Sequence, residues 1–261
     1  MSDGSIVVGI DIAARRPSLA VAMKAGRSAQ VVGWMEADSQ HEGETARLLD
    51  WIEALAPAVV AVDAPQAPNR HLLRDSRLRV CDWELRRRGL SLYQVPARGE
   101  KAPGWIAVGF DFFKQLKRRG LESPGESALP LAFGQAPALL EVYPYATFVA
   151  LLREAQRGGG RAASSPARRP PGAKAGEARA QAPALAKKAS REGTRIRVEL
   201  LRDARVEWSD YYDDDSLDAL AAGLTAWRHL QGKATGLGDS REGLVWLPLT
   251  RESLDELLPP R

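Results

Sequence analysis

Four aspartates and one glutamate stand in or beside apolar runs, where a carboxylate must find a cation, a proton or a hydrogen-bond donor. Asp11 closes the apolar run IVVGID, and Asp63 closes the apolar run AVVAVD. A charge at the end of a buried strand is costly unless it is paired or binds a cation. Asp215 and Asp218 lie one helical turn apart, within a run whose leucines recur at helical spacing. Glu141 sits inside a third apolar run, ALLEVYP. Taken singly, Asp11 and Asp63 also suit strand-end turns. Asp213 and Asp214 also suit partners for a helix dipole, and Glu141 also suits an arginine pair. Taken together, they suit a divalent cation, which relieves the repulsion between clustered carboxylates.

The other side chains narrow the choice of metal. Cys81 is the single cysteine, and His41, His71 and His229 are far apart in the chain. A Cys/His zinc site is therefore not expected. An all-oxygen donor set of Asp11, Asp63, Asp215 and Asp218 selects a hard cation, Mg²⁺ or Mn²⁺.

The elements that must position these acids follow from hydrophobic period. Residues 6–12, 18–24 and 29–36 read as three strands of an antiparallel meander. Leu48, Leu49, Ile52 and Leu55 mark a helix over 43–56, stopped by Pro57. Residues 58–63 form a fourth strand and 138–143 a fifth, ended by Pro144. Between them, helices are expected over 76–88, capped by Ser76, and over 106–119. Helical spacing returns at 194–206 and most clearly at 214–230, where Leu217, Leu220, Leu224 and Trp227 share a face. Small residues beside Asp215 and Asp218, namely Ala222 and Thr225, would let that helix approach the sheet closely. Residues 244–248 suggest a short final strand.

The expected fold is one α/β domain over residues 1–261. It has a central mixed five-stranded sheet, three strands antiparallel and the rest parallel, flanked by helices. Residues 66–137 are a long helical insertion or lid. If the first and fourth strands lie parallel, Asp11 and Asp63 meet at the C-terminal edge of the sheet, where open α/β sheets place ligands.

Charge is unevenly distributed. The net charge is +4, but residues 157–192 alone hold nine Lys/Arg and two Asp/Glu, which leaves −3 for the remainder. That tract of Ala, Arg, Gly, Pro and Ser reads as a disordered basic linker without catalytic residues. It could bind nucleic acid without sequence preference. Arg77, Arg79, Arg86, Arg87 and Arg88 crowd one helix. Arg79, Arg86 and Arg98 are candidate phosphate contacts, with a solvated face as the plain alternative for the run. No signal peptide, zinc motif or membrane-spanning apolar run is read, so a cytoplasmic protein is expected.

Five segments together resemble a known family: VVGIDIA at 7–13, VDAP at 62–65, RVCDWELRRRG at 79–89, LLEVYP at 139–144 and DSLDALAAGLTA at 215–226. They are similar to the family called domain of unknown function 429, described as predicted ribonuclease H-like nucleases. The spacing of Asp215 and Asp218 most resembles that of Holliday-junction resolvases. The resemblance implies a ribonuclease H-like fold and a two-metal hydrolysis of phosphodiester bonds in nucleic acid. Asp11 would bridge the ions, Asp63, Asp215 and Asp218 would complete the coordination, and Glu141 would be an outer or alternative ligand. Two other classes stand beside this one. One is a non-catalytic nucleic-acid-binding or scaffold protein with a degenerate site. The other is a sugar kinase or actin-like ATPase, although no glycine follows Asp11 to cradle phosphate.

Overall fold

A computed structural model describes residues 4–38, 41–73, 78–90, 92–125, 137–158, 185–209 and 213–261. Ser76 and Arg77, and residues 159–184 of the basic tract, lie outside the described residues.

The β-branched run at the start forms β1 (Ile6–Asp11), followed by β2 (Ser18–Ala25) and β3 (Ala29–Ala37) as an antiparallel meander. After α1 (Glu44–Leu55), the chain returns as β4 (Val59–Asp63), parallel to β1. Then come α2 (Val80–Arg87), α3 (Gly104–Arg118) and β5 (Ala138–Val142), which is parallel to β4. Pro144 opens α4 (Pro144–Gly158), a first-turn position where its missing N–H is no loss. The remaining elements are α5 (Arg191–Asp203), β6 (Val206–Glu207), α6 (Asp214–Leu230), β7 (Thr235–Asp239), β8 (Gly243–Leu247) and α7 (Arg251–Leu257).

The sheet has eight strands in the order β6-β3-β2-β1-β4-β5-β8-β7, not the five expected. Its mixed pairing and flanking helices are consistent with the ribonuclease H-like fold that the resemblance implies. The additional strands extend both edges. β6 adds two residues beside β3, and the β7–β8 hairpin adds beyond β5. α2 begins at Val80 with Arg79 as its cap, later than the expected residue 76.

Alternation along the strands sends side chains to two layers. Val7, Val59, Ala61, Leu140 and Val142 pack with α4, α5 and α6. Val8, Ile10, Val60, Val62 and Leu139 pack with α1 and α3. A third cluster joins α2, α4 and α7 to β7 and β8.

Gly9 lets α6 sit directly on β1. A Cβ there would collide with the Ala219 carbonyl and the Gly223 amide, both main-chain groups of α6. The contact runs through Ala219 and Gly223, not through the Ala222 and Thr225 face. Thr225 instead donates to the Ala221 carbonyl, and its hydroxyl lies 3.3 Å from that of Thr147 on α4.

Main-chain atoms cannot swing aside as a flexible side chain can. Gly9→Ala is therefore expected to destabilise the protein by about 3 kcal/mol. The urea unfolding midpoint measures this; an unchanged midpoint would contradict the seating of α6 on β1.

Candidate active site

Register fixes the first two acids. Asp11 and Asp63 are direct partners across the parallel β1–β4 ladder, so their Cα atoms are about 4.8 Å apart. Asp11 lies two residues beyond Gly9, on the face that Gly9 turns to α6. Asp63 lies two beyond Ala61, on the same face.

The helix brings the other two. The N-cap of α6 is Asp213, whose carboxylate accepts from the Ser216 amide at 2.8 Å and the Ser216 hydroxyl at 2.7 Å. Asp213 is thus a cap, and Asp214 accepts from the Thr194 hydroxyl at 3.5 Å. Moving from Gly223 back towards the cap, α6 carries Asp218 and Asp215 to the C-terminal edge of β1 and β4. The positive end of the helix dipole faces the cluster.

Two cations lie among these acids. Arg16 donates to Asp11 at 3.0 Å and is also ion-paired with Asp215. The loop that carries it is pinned at its base, where the Ala13 amide donates to the Ser18 hydroxyl at 3.0 Å. Lys188 Nζ lies 2.5 Å from Asp218 and 3.6 Å from Asp215. Its segment lies against the first turn of α5, where Arg197 donates to the Ala186 carbonyl at 3.1 Å and Gly193 has no room for a side chain beside the Lys187 carbonyl. Composition alone assigns 157–192 to a linker without site residues, yet Lys188 belongs to that tract. The signals for Lys188 are local ones: a lysine pair, one residue removed from Ser190, the N-cap of α5. Arg16 follows the first acid strand by five residues.

The charges do not balance. Four carboxylates stand with two ion-paired cations, which leaves two negative charges not offset by an ion pair when all are ionised; Arg197 acts on Asp218 only from a distance. Among the described residues, no hydrogen bond or ion pair holds the Asp63 carboxylate. Desolvation by burial raises the Asp11 pKa to about 6, with Asp218 adding to the shift and Arg16 opposing it. Burial, then Asp11 and Asp218, push Asp63 well above the ordinary carboxylate range. Asp218 is also raised by burial, against the pull of Lys188. In the absence of another cation, protons fill the deficit.

Glu141 stands elsewhere. It pairs with Val62, one residue short of Asp63, so it projects from the opposite face of the sheet. There its oxygens accept from Arg79 at 2.6 and 2.9 Å and from the Gln66 amide at 2.9 Å. The structure thus does not bring Glu141 into the acid cluster, and the arginine pairing accounts for it. Arg79 is 1% exposed and also grips Asp82 through two nitrogens at 2.9 and 3.0 Å, so its guanidinium is unavailable to a substrate phosphate. Burial opposes the charge of Arg79, but Glu141 and Asp82 outweigh it and hold the group protonated well above its ordinary range. Arg86 and Arg98 are exposed, and among the described residues no hydrogen bond or ion pair ties either to the acids.

The family model for the protein of unknown function DUF429 matches residues 9–242. The chain belongs to the DUF429 family. No curated protein matches. Among solved structures, the chain is similar to T. thermophilus RuvC in complex with Holliday junction substrate, at 12% identity and a TM-score of 0.41, covering 88% of this chain and 98% of that one. The matched residues of the DUF429 model include Asp11, Asp63, Asp215 and Asp218, and both Arg16 and Lys188.

Among the described residues, no group of three or more His, Cys, Asp or Glu is arranged ready to hold a metal ion. Arg16 and Lys188 occupy the carboxylates instead. The donors are all oxygen, as a hard divalent cation requires; they converge from two strands and one helix, and two of their four negative charges are not offset by an ion-paired cation. No described helix is long and apolar enough to cross a membrane.

The two acidic groups should respond oppositely to mutation. Between about pH 4 and pH 6, folded Asp11 keeps a proton that the unfolded chain has lost, so stability falls as pH rises through that window and stays lowered above it. Asp11→Asn is expected to stabilise the metal-free protein at pH 7, on the order of 2 kcal/mol, and to have no such effect at pH 4. Arg79→Met leaves two buried carboxylates unpaired and should destabilise at pH 7, on the order of 4 kcal/mol. Melting temperatures at both pH values decide. Destabilisation by Asp11→Asn at pH 7 would contradict the charge imbalance.

Proposed function

We propose that this protein is an Mg²⁺- or Mn²⁺-dependent hydrolase of phosphodiester bonds in nucleic acid. The observation that carries the reading is the register of Asp11 against Asp63 on the face where α6 delivers Asp215 and Asp218. Asp11, Asp63 and Asp218 would hold the metal, with Asp11 as the shared ligand and Asp215 completing the set.

Bound there, a divalent cation supplies a polarised phosphoryl oxygen and a water acidic enough to ionise near neutral pH. The chain supplies the rest. The pinned β1–β2 loop and the α5 lead-in hold Arg16 and Lys188 at the solvent side of the acids. Their side chains are 42% and 37% exposed, so each can turn from a carboxylate to a phosphate oxygen. With both cations in place, the two uncompensated charges match one divalent ion. With both turned outward, the four acids match two, as a two-metal mechanism requires.

The same ion pairs favour a second reading, a nucleic-acid-binding protein in which Arg16 and Lys188 permanently occupy Asp11, Asp215 and Asp218 in place of a metal. Hydrolysis separates the two. The first reading predicts cleavage of a mixed pool of DNA and RNA oligonucleotides that requires Mg²⁺ or Mn²⁺ and disappears in Asp11→Asn and Asp63→Asn. It also predicts that Lys188→Ala tightens Mn²⁺ binding, because a competing cation is gone, while cleavage falls. Binding of the pool without cleavage by wild type under every metal would leave the second reading standing.

A further inference from the structure

Tyr145 is one of the few large apolar side chains exposed among the described residues, at 38%. Such exposure is ordinary on a protein surface. Its place is less so. β5 ends at Val142, level with Asp63 on the neighbouring strand, and Tyr143 and Tyr145 follow at once. The two rings are 5.8 Å apart and tilted by 47°.

The backbone under Tyr145 is fixed. The Thr147 amide donates to the Tyr143 carbonyl at 3.0 Å, the Thr147 hydroxyl lies 3.3 Å from that of Thr225 on α6, and Ala146 and Thr147 are fully buried. α4 therefore starts on the face of the sheet that carries the acids. Burial, then Asp63, Tyr145 and Asp218, push the neighbouring Tyr143 hydroxyl up to about 12. An exposed ring on a rigid turn thus flanks the carboxylates, with a second tyrosine beside it.

We propose that Tyr145 is a stacking platform for an unpaired nucleobase next to the phosphodiester bound at the carboxylates, which makes single-stranded or locally unpaired nucleic acid the preferred substrate. This rests on the hydrolase reading above. A base inside a duplex already has neighbours on both faces, and exposing one costs unstacking energy; an unpaired base brings a free π-face to an aromatic ring. Arg16 and Lys188 would hold the phosphate, and Tyr145 would set which nucleotides can present it.

The test compares wild type, Tyr145→Phe and Tyr145→Ala on two single-stranded oligomers, one with bases and one fully abasic. Alongside, binding of a 2-aminopurine oligonucleotide is followed by fluorescence. The ratio of kcat/KM for the base-bearing over the abasic oligomer should fall about tenfold or more in Tyr145→Ala and hold in Tyr145→Phe. Quenching of 2-aminopurine should follow the same pattern. An equal ratio in all three proteins, with quenching retained in Tyr145→Ala, overturns the platform while leaving the hydrolase reading intact. If wild type cleaves neither oligomer, the hydrolase reading fails, and quenching alone decides the platform: loss only in Tyr145→Ala supports it, and no quenching by wild type overturns it.

Discussion

The shortage of positive charge at the C-terminal edge of β1 and β4 is the constraint on which the rest of the site depends. Two acids are locked side by side by strand register, and two more arrive on a helix that cannot retreat without losing its contact with Gly9. Arg16 and Lys188 supply half of the missing charge. The remainder shows as an Asp11 that holds its proton to about pH 6 and an Asp63 held well above its ordinary range. A fold that kept these residues only for stability would gain by replacing one acid with a neutral group. On the proposed reading, that deficit is where a divalent cation would bind.

The other face of the sheet shows what acids look like when the chain itself satisfies them. Glu141 and Asp82 divide one buried guanidinium between them, and the Gln66 amide takes another lone pair of Glu141. Glu242, also fully buried, accepts from the amides of Arg70 and Val80 at 2.7 and 3.0 Å, tying the long stretch after β4 to the β7–β8 hairpin. These carboxylates hold loops to strands. Burial alone does not separate them from the site acids; the number and fixity of their partners does.

Much of this was legible in the sequence. The β-branched runs, the meander, the helical stripe over 214–230 and the acids at two strand ends follow from period and turn chemistry, and Asp11 and Asp63 meet as a parallel pairing requires. Glu141 was not legible, because ALLEV is apolar on both sides and a run without alternation does not reveal which face each residue takes; only its pairing with Val62 does. β7 escapes for a different reason. Three of the five residues in its sequence TGLGD are glycine or aspartate, poor strand formers, and Gly238 is there because a Cβ would come within 2.6 Å of the Cys81 Cβ on α2. Arg79 looks like a surface arginine among arginines and is instead the buried hub of the far face. Lys188 is hidden by the composition of the tract around it, since its role depends on contacts with a helix some thirty residues away.

Calorimetric titration of Mn²⁺ at pH 6, in buffers of differing ionisation enthalpy, shows whether a divalent cation fills the charge deficit. A cation that fills the deficit must displace the protons now held by Asp11 and Asp63. The expected result is saturable Mn²⁺ binding by wild type with proton release, and loss of both in Asp63→Asn. Failure of wild type to bind, or binding unchanged in Asp63→Asn with no proton released, would contradict this and leave Asp11, Asp215 and Asp218 as partners of Arg16 and Lys188 alone.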